Sequence, residues 1–123
     1  MTPAPPVFPG ALLMGTETRL LPYDVPLRFF AAAAAFHALA WGLLGAAHAD
    51  VPGFAGGPGL ALAALHAVTL GVLAMTAMGA AYQVLGVATG VVLKSLLPCR
   101  LSFWLFAPGT AVLVAGMALI DAT

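Results

Sequence analysis

The sequence has very few charged residues. Of its 123 residues, four are Lys or Arg and four are Asp or Glu, so the formal net charge is zero. Soluble domains carry a charge on about a quarter of their residues, whereas here 7% are charged and 63% are hydrophobic. This composition excludes an ordinary soluble domain, and so few basic residues leave no patch for nucleic acid. The protein is predicted to lie in a lipid bilayer.

Residues for catalysis and for disulfides are also scarce. Cys99 is the single cysteine, so a free reduced thiol is expected. The carboxylates are spread over both sides of the membrane, and no nucleophile or phosphate loop is visible. An enzyme active site within the single chain is therefore not expected. The first 26 residues have no basic start and no cleavage site, so no signal peptide is predicted.

Three uncharged segments are long enough to cross a hydrocarbon core, which takes about 20 helical residues. They predict helices over about 27–49, 59–88 and 101–121, with the Pro- and Gly-rich stretch "VPGFAGGP" between the first two. The fold predicted is an all-α, integral membrane three-helix bundle over 27–123, associated into an oligomer. Residues 1–26 are expected to form a cytoplasmic arm, either loosely ordered or carrying an interfacial helix. Helix two must project, tilt or break near Gly86 to Gly90.

The basic residues fall on one side of this plan. Arg19 and Arg28 precede helix one, and Lys94 and Arg100 lie between helices two and three. Under the positive-inside rule the N-terminus is cytoplasmic and the C-terminus lies outside, in a bacterial inner membrane.

Helix two carries a stripe of polar residues within an apolar segment. On an α-helix, residues seven apart nearly superimpose, so Thr69, Thr76 and Gln83 share one face, with His66 at its outer end. Polar side chains in lipid need partners, so this stripe is expected to line a protein or cofactor contact. The threonines can instead bond their own backbone one turn back. His66 is the functional candidate, because ionisable residues inside a membrane are costly.

The stretch "LHAVTLGVLAMTAMGAAYQVL" over 65–85, with "PLRFF" over 26–30 ahead of helix one, resembles the haem-copper oxidase subunit I-like membrane proteins, a group that includes the NnrS-like proteins. The family pattern reads H-x-x-T-L-G-F and then G-A-x-Y-Q. The resemblance implies haem b as cofactor, with His66 matching an axial ligand. Val72 departs from the family's phenylalanine, and Gly86 stands where a proline tends to follow. The oxidases use many more helices and histidines, so oxygen reduction by this chain alone is not expected.

A six-coordinate haem needs a second ligand, usually a histidine on a facing helix. In one arrangement His37 of helix one and His66 of the same chain hold the iron. In the other, His66 residues from two copies do so. Both arrangements predict electron transfer, or haem or gas binding, in an oligomer or a larger membrane complex.

Two alternatives stay open. One is a cofactor-free accessory subunit, in which the polar stripe serves as hydrogen-bonding contact between helices. The other is a metal- or haem-handling protein with an exchangeable site near His48 and Asp50. Trp41 is expected between helices and Trp104 at the level of the lipid headgroups.

Overall fold

The computed structural model describes residues 20–90 and 94–120, and these residues are helical with no strand. Three helices are long and apolar enough to cross a membrane: α1 (Asp24–Ala46), α2 (Leu60–Thr89) and α3 (Leu97–Ile120). A short 3-10 turn, Val51–Gly53, lies in the first loop. The prediction of an all-α protein with three membrane-spanning helices is confirmed. Most of the predicted arm, residues 1–19, lies outside the described residues.

Helix α1 begins at Asp24 rather than near 27 and ends at Ala46 rather than near 49. Pro26 is tolerated there because the amides of the first helical turn have no carbonyl partner within the helix, so the missing N–H of proline removes no hydrogen bond. The Asp24 carboxylate favours the same end through the helix dipole. At the other end, the Ala47 amide donates to the Leu43 carbonyl. In the turn that follows, the Val51 amide donates to the Ala47 carbonyl. Hydropathy alone does not show that a helix begins just before a proline or that it ends in a turn.

Helix α2 is continuous but not uniform. Its α-helical turns give way to a π-helical segment at Ala67–Ala74 and resume at Met75. It begins after Gly59 and ends before Gly90. These two glycines have positive φ values of 136° and 69°. A left-handed glycine is a common helix terminator. The helix thus ends at Thr89, in the region where a break was expected, while projection from the bilayer and tilt within it stay predictions.

Helix α3 starts four residues before the position predicted from the charges, because Pro98 fits its first turn. Cys99 consequently lies in the helix and is 1% exposed, rather than in an open loop. The helix runs on through Pro108.

The core lies between α1 and α2. Phe29 and Phe36 of α1 are buried, as are the α2 residues Ala63, Ala67 and Met75. Helix α3 adds Val114, and its Phe103 ring meets Phe29 edge-on at 5.2 Å between ring centres. Many large apolar side chains on the outer faces are exposed, as expected for helices surrounded by lipid.

Candidate functional site

His66 is half-buried in the last α-helical turn before the π-helical segment. Its Nδ1 lies 2.9 Å from the Leu62 carbonyl oxygen one turn earlier. A carbonyl oxygen only accepts, so Nδ1 carries the hydrogen and donates it. In the neutral ring Nε2 then keeps its lone pair. Metal-binding histidines are commonly held by such a bond from the other ring nitrogen. Nε2 is therefore the nitrogen through which His66 could bind a metal.

The π-helical segment that follows His66 is the least expected feature of α2. Such segments are rare and are frequent at functional sites. Because their turns hold more residues than α-helical turns, they rotate the preceding residues relative to the following ones. The sequence offers no signal for it, since Ala67–Ala74 contains small and apolar residues and one threonine, as the rest of the helix does.

His66 is not among the residues that line a cavity beside Leu70, about one turn further along α2. This cavity measures about 190 Å³, and its other walls come from α3: Leu105, Phe106, Gly109, Thr110 and Leu113. Pockets for small organic ligands usually measure about 300–1,000 Å³. His66 also lies outside the lining of two larger cavities, one at the first loop and one between α1 and α2. His66 therefore has the chemistry of a haem ligand, but none of these three cavities lies beside it.

His37 lies on the outer face of α1 and is exposed. The indole Nε1–H of Trp41 donates to His37 Nε2 at 3.0 Å, and the two rings meet edge-on with centres 6.1 Å apart. Indole nitrogen is a donor only, so the Nε2 lone pair of His37 is engaged. Trp41 is exposed with it, contrary to its expected place between helices. The i, i+4 spacing of the two rings in the sequence was the signal for this pair.

The described structure does not bring His37 and His66 together. Phe36 packs against Gly71, and α1 and α2 run antiparallel. Five residues from this contact toward the first loop, α1 reaches Trp41 and α2 reaches His66, so these two residues lie at the same level. His37 lies about 6 Å deeper, at about 1.5 Å per residue. Each ring bonds within its own helix. A shared iron within one chain would require both side chains to move and Trp41 to release His37.

The stripe predicted on α2 is divided by the π-helical segment. Thr69, within that segment, is exposed and donates to the Leu65 carbonyl at 2.8 Å. Thr76 is exposed on the far side, where Gln83 is half-buried. Gln83 lines an apolar groove of about 480 Å³ between α1 and α2, and its Oε1 is buried with no hydrogen-bond partner in the described part of the chain. The proposed lining residues thus do not converge on His66.

Tyr82 connects α2 to α3. Its hydroxyl lies 2.8 Å from Ser102 Oγ, and Ser102 in turn bonds the Cys99 carbonyl at 2.9 Å. Because the Ser102 hydrogen is used on that carbonyl, Tyr82 is the donor in the first bond. This interhelical contact was not recognised in the sequence, where Tyr82 appeared as part of a family pattern.

The described side chains of the loop between α1 and α2 do not form a cluster of metal ligands. His48 is exposed, with Nδ1 3.0 Å from the Gly45 carbonyl. Asp50 borders a loop cavity of about 530 Å³ whose lining does not include His48. Within residues 20–90 and 94–120, no group of three or more His, Cys, Asp or Glu side chains could hold a metal ion.

Comparison with family models, curated proteins and solved structures finds no match to this chain. The likeness to haem-copper oxidase subunit I-like proteins therefore rests on the residues quoted from the sequence.

Proposed function

We propose that this chain is a membrane haem b-binding protein of haem-copper oxidase subunit I-like descent, acting in electron transfer or in haem or gas binding. The observation that carries the proposal is the hydrogen bond of His66. Its Nδ1–H donates to the Leu62 carbonyl, which leaves the lone pair of Nε2 to coordinate iron. When bound, b-type haem supplies a site for one electron or for a diatomic gas. The chain itself supplies an oriented imidazole in an apolar surrounding.

The second ligand and the remaining walls come from outside the chain's own bundle. His66 lines neither the cavity beside Leu70 nor the groove between α1 and α2, and His37 Nε2 already accepts a hydrogen bond from Trp41. A second copy of this chain offering its own His66 is the simplest source, since most homo-oligomers are two-fold symmetric. A larger membrane complex is the other. His37 of the same chain remains the ligand only in an arrangement that breaks its bond to Trp41.

Substitution of each histidine tests this proposal. His66→Ala should abolish the Soret band of protein purified from a haem-sufficient host, while circular dichroism shows that the helices remain. His48→Ala is the matched control, because it removes an exposed imidazole that also bonds only a carbonyl of its own helix end. A Soret band that persists in His66→Ala would contradict the assignment.

The proposed location is a bacterial inner membrane, with the N-terminus cytoplasmic and the C-terminus outside. Arg28, Lys94 and Arg100 support this orientation because Arg28 and Arg100 lie in the first turns of their spans and Lys94 lies in the connection at the same end of the bundle. Reporter fusions at the two termini test it: a phosphatase active only outside the cytoplasm should be active at the C-terminus alone.

A second candidate is a cofactor-free accessory subunit packed in a larger membrane complex. The exposed pair of His37 and Trp41 favours it, since polar groups on a lipid-facing helix surface gain by contacting another helix. This function predicts a colourless protein, and it predicts that His37→Ala impairs assembly with the partner.

A further inference from the structure

Two arginines from different helices share one carboxylate at one end of the bundle. Arg28 Nη2 lies 3.2 Å from Asp24 Oδ2, and Arg100 Nη2 lies 3.7 Å from the same oxygen. A single negative charge therefore stands between two positive charges. The side chains are 39% exposed for Arg28 and 50% for Arg100. Each guanidinium has five N–H donors, so donors on both groups stay available toward the surroundings.

The backbone holds this pair in place. Asp24 and Arg28 lie in the first turns of α1, and Arg100 lies in the first turn of α3. Beneath them, buried side chains pack the two helix beginnings together, and these are Leu21, Val25 and Cys99. The positions of the two guanidinium groups are thus set by packed helix ends and by their common carboxylate.

The position of the cluster in the fold is the one expected for groups at the depth of lipid headgroups. It stands at the ends of two membrane-spanning helices, and exposed aromatic rings lie close to it in the chain, Tyr23 before α1 and Trp104 in the second turn of α3. Tyr and Trp are enriched at the membrane interface. Charge also favours an anion, because the described residues at this end include Arg28, Lys94 and Arg100 against Asp24 alone.

We propose that Arg28 and Arg100 form a binding site for the phosphate of an anionic phospholipid such as phosphatidylglycerol. Arg guanidinium groups bind phosphate oxygens in a two-pronged geometry that Lys does not reproduce. The beginning of α3 adds the positive end of its helix dipole. Asp24 keeps the two groups close enough to contact one phosphate. The site is independent of the proposed haem function and of which side of the membrane the cluster faces.

Lipid binding to the full chain in a mild detergent, counted by native mass spectrometry, tests this site. Phosphatidylglycerol should bind more tightly than phosphatidylcholine of the same acyl chains. Arg28→Gln and Arg100→Gln should each weaken phosphatidylglycerol binding about fivefold, the effect of one basic residue near an anionic surface. Lys94→Gln is the matched control, because it removes the same charge from the exposed connection; it should change binding less than twofold.

Equal binding of the two lipids would overturn the proposal, as would an equal loss in Lys94→Gln, which would indicate attraction by net charge alone. Glycerol phosphate added at the same concentration should not displace the lipid; displacement would assign the site to a free phosphate. If Arg28→Gln fails to fold, Arg100→Gln decides the question, since its longer contact to Asp24 contributes less to the fold.

Discussion

Phe36 of α1 lies directly on the backbone of Gly71 in α2, so that a Cβ at position 71 would overlap the Phe36 side chain. Phe29, two helical turns earlier, has the same relation to Gly79, where an added Cβ would stand 3.0 Å from the Phe29 Cβ. Between helices in lipid, close packing on small residues replaces the hydrophobic effect as the source of association. The α1–α2 pair is therefore held by two phenylalanines on two glycines.

Gly71→Ala should destabilise the bundle. The added methyl would stand within 2.5 Å of the Phe36 Cβ, which is fixed to the α1 backbone, so the helices must separate. Overpacking of this kind costs about 1–3 kcal/mol. The thermal midpoint in detergent should fall in Gly71→Ala, fall less in Gly79→Ala, and stay level or rise in Gly42→Ala, where nothing lies within 4 Å. Equal midpoints for Gly71→Ala and Gly42→Ala would contradict the packing.

Tyr82→Phe should loosen α3 from α2. It removes the bond to Ser102 but keeps the ring, which packs on Phe29 with centres 5.5 Å apart. The expected loss is about 0.5–1.5 kcal/mol in the free energy of unfolding. A double-mutant cycle with Ser102→Ala isolates the bond. Additive losses in the two single variants would show that the hydroxyls do not interact.

Gln83→Met should stabilise the protein. The buried Oε1 has no partner among the described residues, and an unpaired buried acceptor costs about 1–3 kcal/mol. Methionine fills a similar volume without that cost. Thr76→Val, seven residues earlier and exposed, is the control and should change the free energy of unfolding by less than about 0.5 kcal/mol. A lower midpoint for Gln83→Met would indicate that the amide has a partner in the intact membrane.

Trp41→Phe distinguishes the two sources of the second haem ligand. The change removes the indole donor and frees His37 Nε2 while keeping an aromatic ring. With a ligand from another chain, the haem content per chain should stay the same. Should haem content rise, the in-chain pair of His37 and His66 would be the correct arrangement.

The sequence predicted the three spans well, because charge and length alone decide which segments can cross a membrane. The predicted start of helix two near 59 agrees with the start observed at Leu60, while its end at Thr89 lies one residue beyond the predicted 88, before Gly90 with its positive φ. The starts of α1 at Asp24 and of α3 at Leu97 were harder to predict from the sequence, because a proline in the first turn looks like an interruption of the helix.

The arrangement of polar residues could not be predicted in the same way. The division of the stripe depends on the π-helical segment at Ala67–Ala74, for which the residue types give no signal. The exposure of His37 depends on which face of α1 packs on α2, and α1 carries large apolar side chains on both its buried and its exposed faces. Hydrophobic periodicity therefore carried no information about that face.

The most direct test of the central claim is the haem content of the purified chain. Protein from a haem-sufficient host is isolated in mild detergent, and its reduced-minus-oxidised and pyridine haemochrome spectra are measured against protein concentration. The account predicts a b-type spectrum that is lost in His66→Ala, at one haem for two chains if a second copy supplies the other ligand. A flat difference spectrum from folded protein supplied with haem would contradict it.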